Sequence, residues 1–422
     1  MRRSLPQVAL AAPPPFRLPG EHFVAALVWL AVAAVLLPWL APVLAEGRVF
    51  EPAVFVLMHV AVLGVLTSAI FGALLQFVPG GLEVPLRSVR LGHVGFWLLQ
   101  VGFVALLAGF WRGRGGLQLT GWILIFGAVG AVSVNVLPAR RRSPHGKLVG
   151  LYLSVAHSAL GVGMLIGLAR IGETLGWWHL DRFGLLAAHV QLGAIGFGTL
   201  TAVGVGSRMV PTFLLAMGDD RRRLRWILGL TTAGLTFFSV GALARIGSVT
   251  RAGGLLLGVA GGLILELAWR WFGRRQRGLD LSLRHVASAF VGLLMAWLLG
   301  IGLMIGDPHD PRRWAAYVAA LVLGWLLMLV IGVMGKIVSH LSYIHLFRAM
   351  PGFARVGNPN LLLKGDWLLV SWVLLTAGAL ALPVAVGLGR GQVATAAAAT
   401  WSAGVAGTLA NYFRMLVVGR TK

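Results

Sequence analysis

Three stretches of this chain share one pattern without a gap. The clearest runs from His189 to Pro211, HVQLGAIGFGTLTAVGVGSRMVP. Counting back from its proline, Gly196 and Gly204 match Gly64 and Gly72 on one side and Gly324 and Gly332 on the other. Arg208 matches Gln76 and Lys336. Met209-Val210-Pro211 matches Phe77-Val78-Pro79 and Ile337-Val338-Ser339. The two offsets are 132 and 128 residues. A repeat at a near-fixed period constrains a fold first, because each unit must bury its apolar face against its neighbours.

The unit is a membrane unit. Of 422 residues 58% are hydrophobic and 12% charged, with a mean hydropathy of +0.85. Apolar runs near twenty residues match a bilayer core of about 30 Å at about 1.5 Å per helical residue. Twelve such runs are expected, at 22–44, 52–78, 91–110, 119–138, 148–170, 183–207, 225–245, 251–272, 284–305, 314–339, 366–388 and 393–417. The expected fold is an all-α polytopic membrane protein, about twelve transmembrane helices in three four-helix pseudo-repeats. Residues 1–21, with Arg2, Arg3, Arg17 and Pro13-Pro14-Pro15, read as a cytoplasmic basic, proline-rich tail, and 22–422 as a single membrane domain. The tail lacks the cleavage pattern of a removed signal peptide.

The net charge of +23 does not point to nucleic acid, because the basic residues sit in short loops between apolar runs. There they set topology and meet anionic lipid head groups. With a cytoplasmic N-terminus all but ten of the 36 lysines and arginines fall inside; the ten are Arg48, Arg112, Arg114, Arg170, Arg182, Arg245, Arg251, Arg312, Arg313 and Arg390. That bias places both termini in the cytoplasm of a bacterial-type inner membrane. The second, sixth and tenth spans, which carry the repeat, then all run from outside to inside. The absence of cysteine excludes disulfides, iron–sulfur clusters, thiolate metal sites and covalent c-type haem.

Eleven histidines are left as metal ligands. An ionisable residue within a span is a functional candidate by default, although a neutral imidazole bonded between helices is the competing reading. His59 and His189 each lie about seven residues into their spans, roughly 10 Å below the outer surface. Matched depth on parallel helices suits an axial pair on a haem iron. In the gapless register, however, His59 falls opposite Gln191, and two residues turn a helix by about 200°. Either a helix irregularity absorbs the shift or the two histidines serve different sites. The third repeat has Tyr317 opposite His189. His157, near mid-membrane, and His93, at an inner span end, are weaker ligand candidates. His340 and His345 lie at the inner end of the tenth span. His22, His145, His179, His285 and His309 read as interfacial. Glu266 is the one acid well inside a span, and either pairs with Arg270 one turn on or relays protons. Gln100 and Asn135 read as interhelical hydrogen bonds. Arg170, Arg182, Arg245 and Arg251 are placed at outer span ends, where they suit haem propionates or ordinary interface anchoring.

Twelve spans in three repeats, with a histidine early in the second, resemble subunit I of the haem-copper oxidases. The run from His59 through Gly72, Pro79-Gly80-Gly81 and Pro85-Leu86-Arg87 is similar to the oxidase segment that carries a low-spin haem ligand. That resemblance implies an axial haem role for His59 and places His189 where the oxidases have a copper ligand. GSRMVPTF at 206–213 is similar to the NnrS family of haem- and copper-containing membrane proteins linked to nitric oxide metabolism. The chain departs from the oxidases at 225–245, which holds no histidine, and in the outer half of 314–339, which holds none either. The resemblance therefore does not extend to the oxygen-reducing centre, and the copper ligand set is incomplete. The expectation is a b-type haem protein for electron transfer, or for chemistry or sensing of a diatomic gas such as NO or O2. Its electrons would come from a redox partner protein or quinol. The alternative is a cofactor-free transporter or structural subunit on the same scaffold.

Overall fold

The computed structural model describes residues 15–144, 146–216, 218–307, 309–347 and 363–418, with side chains described up to 340 in the fourth segment and up to 414 in the last. His145 and the side chain of His345 lie outside the described residues. So do most of the basic tail and most of the 340–365 loop.

Among the described residues, twelve helices are long and apolar enough to cross a membrane. They are α1 (Arg17–Ala45), α2 (Pro52–Gly81), α3 (Val89–Trp111), α4 (Gly115–Arg142), α5 (Lys147–Thr174), α6 (Arg182–Leu214), α7 (Arg221–Ala244), α8 (Gly247–Gly273), α9 (Leu281–Ile305), α10 (Pro311–His340), α11 (Gly365–Gly387) and α12 (Gly391–Arg414). All twelve coincide with the runs expected from the sequence. The protein is an all-α polytopic membrane protein. α1 begins at Arg17, one turn earlier than the segment expected as tail allows.

The repeats govern the packing. α2, α6 and α10 form the centre. In α10, 83% of the most apolar window is buried, against 28% in α1 and α8 on the outside. α3 with α4, α7 with α8, and α11 with α12 form tight hairpins at the periphery, and α1 packs on α12 to close the ring. Ser402 Oγ donates to the Ala34 carbonyl across that closure, at 2.6 Å. Matching latches tie two hairpins at one end. Asn135 of α4 accepts from Ser88 N and donates to Ser88 O, each at 3.0 Å. Asn411 of α12 does the same with Lys364, at 2.9 and 3.1 Å. Gln100 bridges α1 and α2 from α3, accepting from Trp29 and donating to Ser68. The outward faces carry bare apolar side chains such as Trp39, Trp269 and Ile305, each at least 80% exposed, as lipid-facing surface requires.

Each central helix changes its winding at the same place. Val60–Thr67, Gln191–Thr199 and Ala320–Leu327 are π-helical. Shifted by the sequence offsets, the three segments superpose. Thr67 and Thr199 are equivalent positions, and each hydroxyl donates to the carbonyl five residues back, at 2.9 and 3.0 Å. A π segment leaves backbone carbonyls looser than an α-helix does, and these threonines satisfy two of them.

Asp280 joins α9 to α10. Its carboxylate caps α9 by accepting from Leu283 N, at 3.1 Å, and pairs with the ammonium of Lys336, which is mostly buried. Asp280→Ala is expected to destabilise the protein by roughly 2–4 kcal/mol, through a lost cap and a stranded partly buried charge. Thermal melting of the purified protein measures this, and adding Lys336→Met should restore part of the loss.

Candidate functional site: a buried histidine pair

Call the end where the central helices start the arginine-poor end. Below it lies a cavity of about 410 Å3. Its walls come mostly from α2, α3, α4, α5, α6 and α10, with Leu37 and Leu44 of α1 and Leu382 of α11, and His59 and His189 both line it. Their ring centroids are 6.2 Å apart, with ring planes at 33°. Each ring is held by one nitrogen. His59 Nδ1 bonds the Phe55 carbonyl, one turn back on its own helix, at 2.8 Å. His189 Nδ1 bonds the Gly163 carbonyl of α5, also at 2.8 Å. A carbonyl accepts, so both Nδ1 atoms carry the proton, and each Nε2 presents a lone pair. That is how protein scaffolds fix the tautomer of a metal-ligating histidine. The His59 ring packs on Phe110 at 4.8 Å. The thioethers of Met58 and Met164, with Phe55, Trp122 and Phe197, complete much of an apolar wall. Among the described residues, no third His, Asp or Glu joins the pair.

The two-residue register shift does not separate these histidines. His189 and Gln191 do lie on different faces of α6: His189 turns to α2, while Gln191 turns to α10 and accepts a hydrogen bond from the Tyr317 hydroxyl, at 3.0 Å. Tyr317 is the repeat equivalent of His189, and Gln191 is the equivalent of His59. The Gln191–Tyr317 contact is therefore the His59–His189 contact, moved round by one repeat. Thr199 and Trp325, bonded at 3.0 Å, keep the same relation eight residues deeper. In the third interface the equivalent positions are Ala319 and Leu57, both buried. The two observed contacts follow one rule: a repeat offers one position, and the next repeat meets it with a position two residues earlier in the register. The π segments, common to all three helices, do not absorb a shift between any two of them.

The other candidates lie elsewhere. His93 pairs with Glu21 at 2.6 Å near the arginine-rich end. His157 is buried against Phe197, its ring 5.9 Å away, with Nδ1 on the Leu153 carbonyl. His22 and His285, expected at the interface, are buried. Each bonds the carbonyl four residues back and packs against a central helix, where a Cβ on Gly72 or Gly332 would meet it. Both helices begin earlier than the hydropathy run suggests, which carries each histidine a turn inward. His179, His309 and His340 are exposed, and His309 stacks on Phe183. Glu266 pairs with Arg270 at 2.6 Å, as one expectation had it, and also with Arg223 of α7 at 3.0 Å.

Of the four arginines expected as propionate partners at the arginine-poor end, Arg170 lines the cavity. It is already engaged with Glu173, at 2.5 Å, and Arg182 holds the other oxygen of that carboxylate, at 2.6 Å. Glu173 is only 6% exposed. Arg245 lies 3.7 Å from Asp181, and Arg251 is exposed; neither lines the cavity. The sequence reading missed Glu173, which lies three residues beyond Arg170, the i,i+3 spacing that brings charges together on a helix. It also missed Met58 and Met164, which carry no signal in a chain this apolar.

Comparison with protein-family models and with curated proteins finds no match to this chain.

Proposed function

We propose that this is an integral membrane haem protein in which His59 and His189 are the two axial ligands of one b-type haem. The observation that carries this is the pair itself. Two imidazoles on opposite sides of one metal ion, each with a metal–nitrogen bond of about 2 Å, hold their ring centres on the order of 6 Å apart. The pair has 6.2 Å, with both Nδ1 atoms anchored and both rings on an apolar cavity of a size that cofactors use. A haem supplies one-electron transfer or diatomic-gas binding. The chain's part is to fix both imidazoles, to keep water away with Phe110, Trp122 and Phe197, and to present the Arg170 guanidinium near the mouth. Electrons would be exchanged with a redox partner protein or quinol. Copper(I) is the second reading, favoured by Met58 and Met164, because soft thioethers select that ion. Metal analysis of purified protein separates the two. Iron near one per chain with little copper supports haem, and copper without iron supports the second reading.

The reading places both termini and the arginine-rich loops in the cytoplasm of a bacterial-type inner membrane, by charge bias alone. The chain has no cysteine, so single cysteines report cleanly. A membrane-impermeant maleimide applied to whole cells should label Arg112→Cys and leave Arg222→Cys unlabelled until the membrane is opened. The reverse pattern overturns the orientation.

A further inference from the structure

A second, larger cavity of about 660 Å3 lies among the same three central helices toward the arginine-rich end, with Trp271 of α8 and Phe290 of α9 also on its wall. Its roof is the floor of the histidine cavity. The histidine cavity ends at Thr67, Phe197 and Leu323, and the second begins at Leu66, Gly198 and Trp325. The boundary thus falls within the π segment of every central helix, closed by the Trp325–Thr199 hydrogen bond and by Phe71 against Phe197.

The walls of this second cavity are apolar over most of their length, from Leu66, Ile70 and Ala73 on α2 to Ala202 and Val205 on α6. Polar groups collect at its far end: Gln76, Arg277, Lys336 and His340. Gln76 and Lys336 are the repeat-equivalent positions of the sequence pattern. The Lys336 ammonium is spent on Asp280. Gln76, Arg277 and His340 make no hydrogen bond or ion pair with any described residue. Gln76 is part-buried and Arg277 is exposed, so both hold free donors at the cavity's far end, and a guanidinium is the side chain best shaped to meet a carboxylate or phosphate there. Apolar walls with a cationic, hydrogen-bonding end describe the complement of one kind of molecule.

We propose that this cavity binds a single-chain amphiphile with an anionic head. The acyl chain fills the space between α2, α6 and α10. The carboxylate or phosphate accepts from the Arg277 guanidinium and the Gln76 amide. The volume lies in the range of small-molecule sites, and basic pockets between helices at a cytoplasmic face bind anionic head groups. The site is independent of any haem above the π collar.

Native mass spectrometry of the delipidated full chain, in a detergent with a neutral sugar head, tests this. Palmitate, palmitoyl-lysophosphatidylglycerol and neutral monopalmitoylglycerol are titrated separately. One equivalent of an anionic amphiphile is expected, with the neutral one at least tenfold weaker. Binding of palmitate alone assigns a free fatty acid, and binding of the lysophospholipid alone assigns a lipid headgroup. Ala202→Trp and Ala73→Phe fill the cavity from two different helices, and each should abolish binding. Arg277→Glu should weaken it at least tenfold while leaving the neutral amphiphile unchanged. Neutral and anionic probes binding alike, or wild-type binding in whichever cavity-filling variant keeps its helical circular dichroism, overturns the proposal.

Discussion

His59→Ala is expected to lower bound haem by at least about tenfold, and His189→Ala to do the same, by loss of an axial ligand and of the orientation its neighbours impose. The two effects should be of similar size, because both imidazoles are anchored by one carbonyl each at the same distance. His157→Ala is the control. That ring is buried and its Nδ1 is anchored in the same way, yet it does not line the cavity, so haem content should stay near wild type. The readout is haem per protein after identical expression and purification. Loss in the His157 variant with retention in the other two would reassign the ligands.

The largest effect on folding is expected from Gly292→Leu. α9 crosses α10 where Gly292 meets Gly324, and a Cβ at Gly292 would collide with the Gly324 carbonyl and α-carbon. Backbone cannot swing aside as a side chain does, and small residues at membrane helix crossings exist to allow this approach. Overpacking costs roughly 3 kcal/mol or more here, at the upper end for inserted methylenes. The variant should fail to accumulate as a monodisperse species in size-exclusion chromatography. Gly258→Leu is the matched control on α8, where a new Cβ meets nothing within 4 Å and the effect should stay within about 0.5 kcal/mol.

The glycines illustrate how far the sequence reaches. Gly64, Gly196 and Gly324 set the register of three repeats, and all three fall inside the π segments that lie at the middle of the fold. The spans, their number and the central place of the repeated helix follow from hydropathy and register, because a bilayer sets helix length. Charges were legible where they pair along one helix, as Glu266 does with Arg270, and not where they pair between helices, as Glu266 does with Arg223. The site was half legible. Depth along the helix brought out His59 and His189, since depth is residue count times rise. Their meeting was not legible, because a linear register compares equivalent positions, whereas neighbouring repeats here bring together positions that are not equivalent. The Gln191–Tyr317 bond supplies the missing rule. His22 and His285 were misplaced for a simpler reason: polar residues at the head of α1 and α9 hide the first helical turn from a hydropathy window.

The central claim is that the histidine pair holds one b-type haem. Its most direct test is the pyridine haemochrome of the detergent-purified wild type from haem-replete cells, together with a dithionite-reduced minus oxidised spectrum. About one haem b per chain with a low-spin spectrum is the expected result. A colourless, monodisperse, fully helical protein would contradict the account and leave the copper reading or a cofactor-free membrane scaffold.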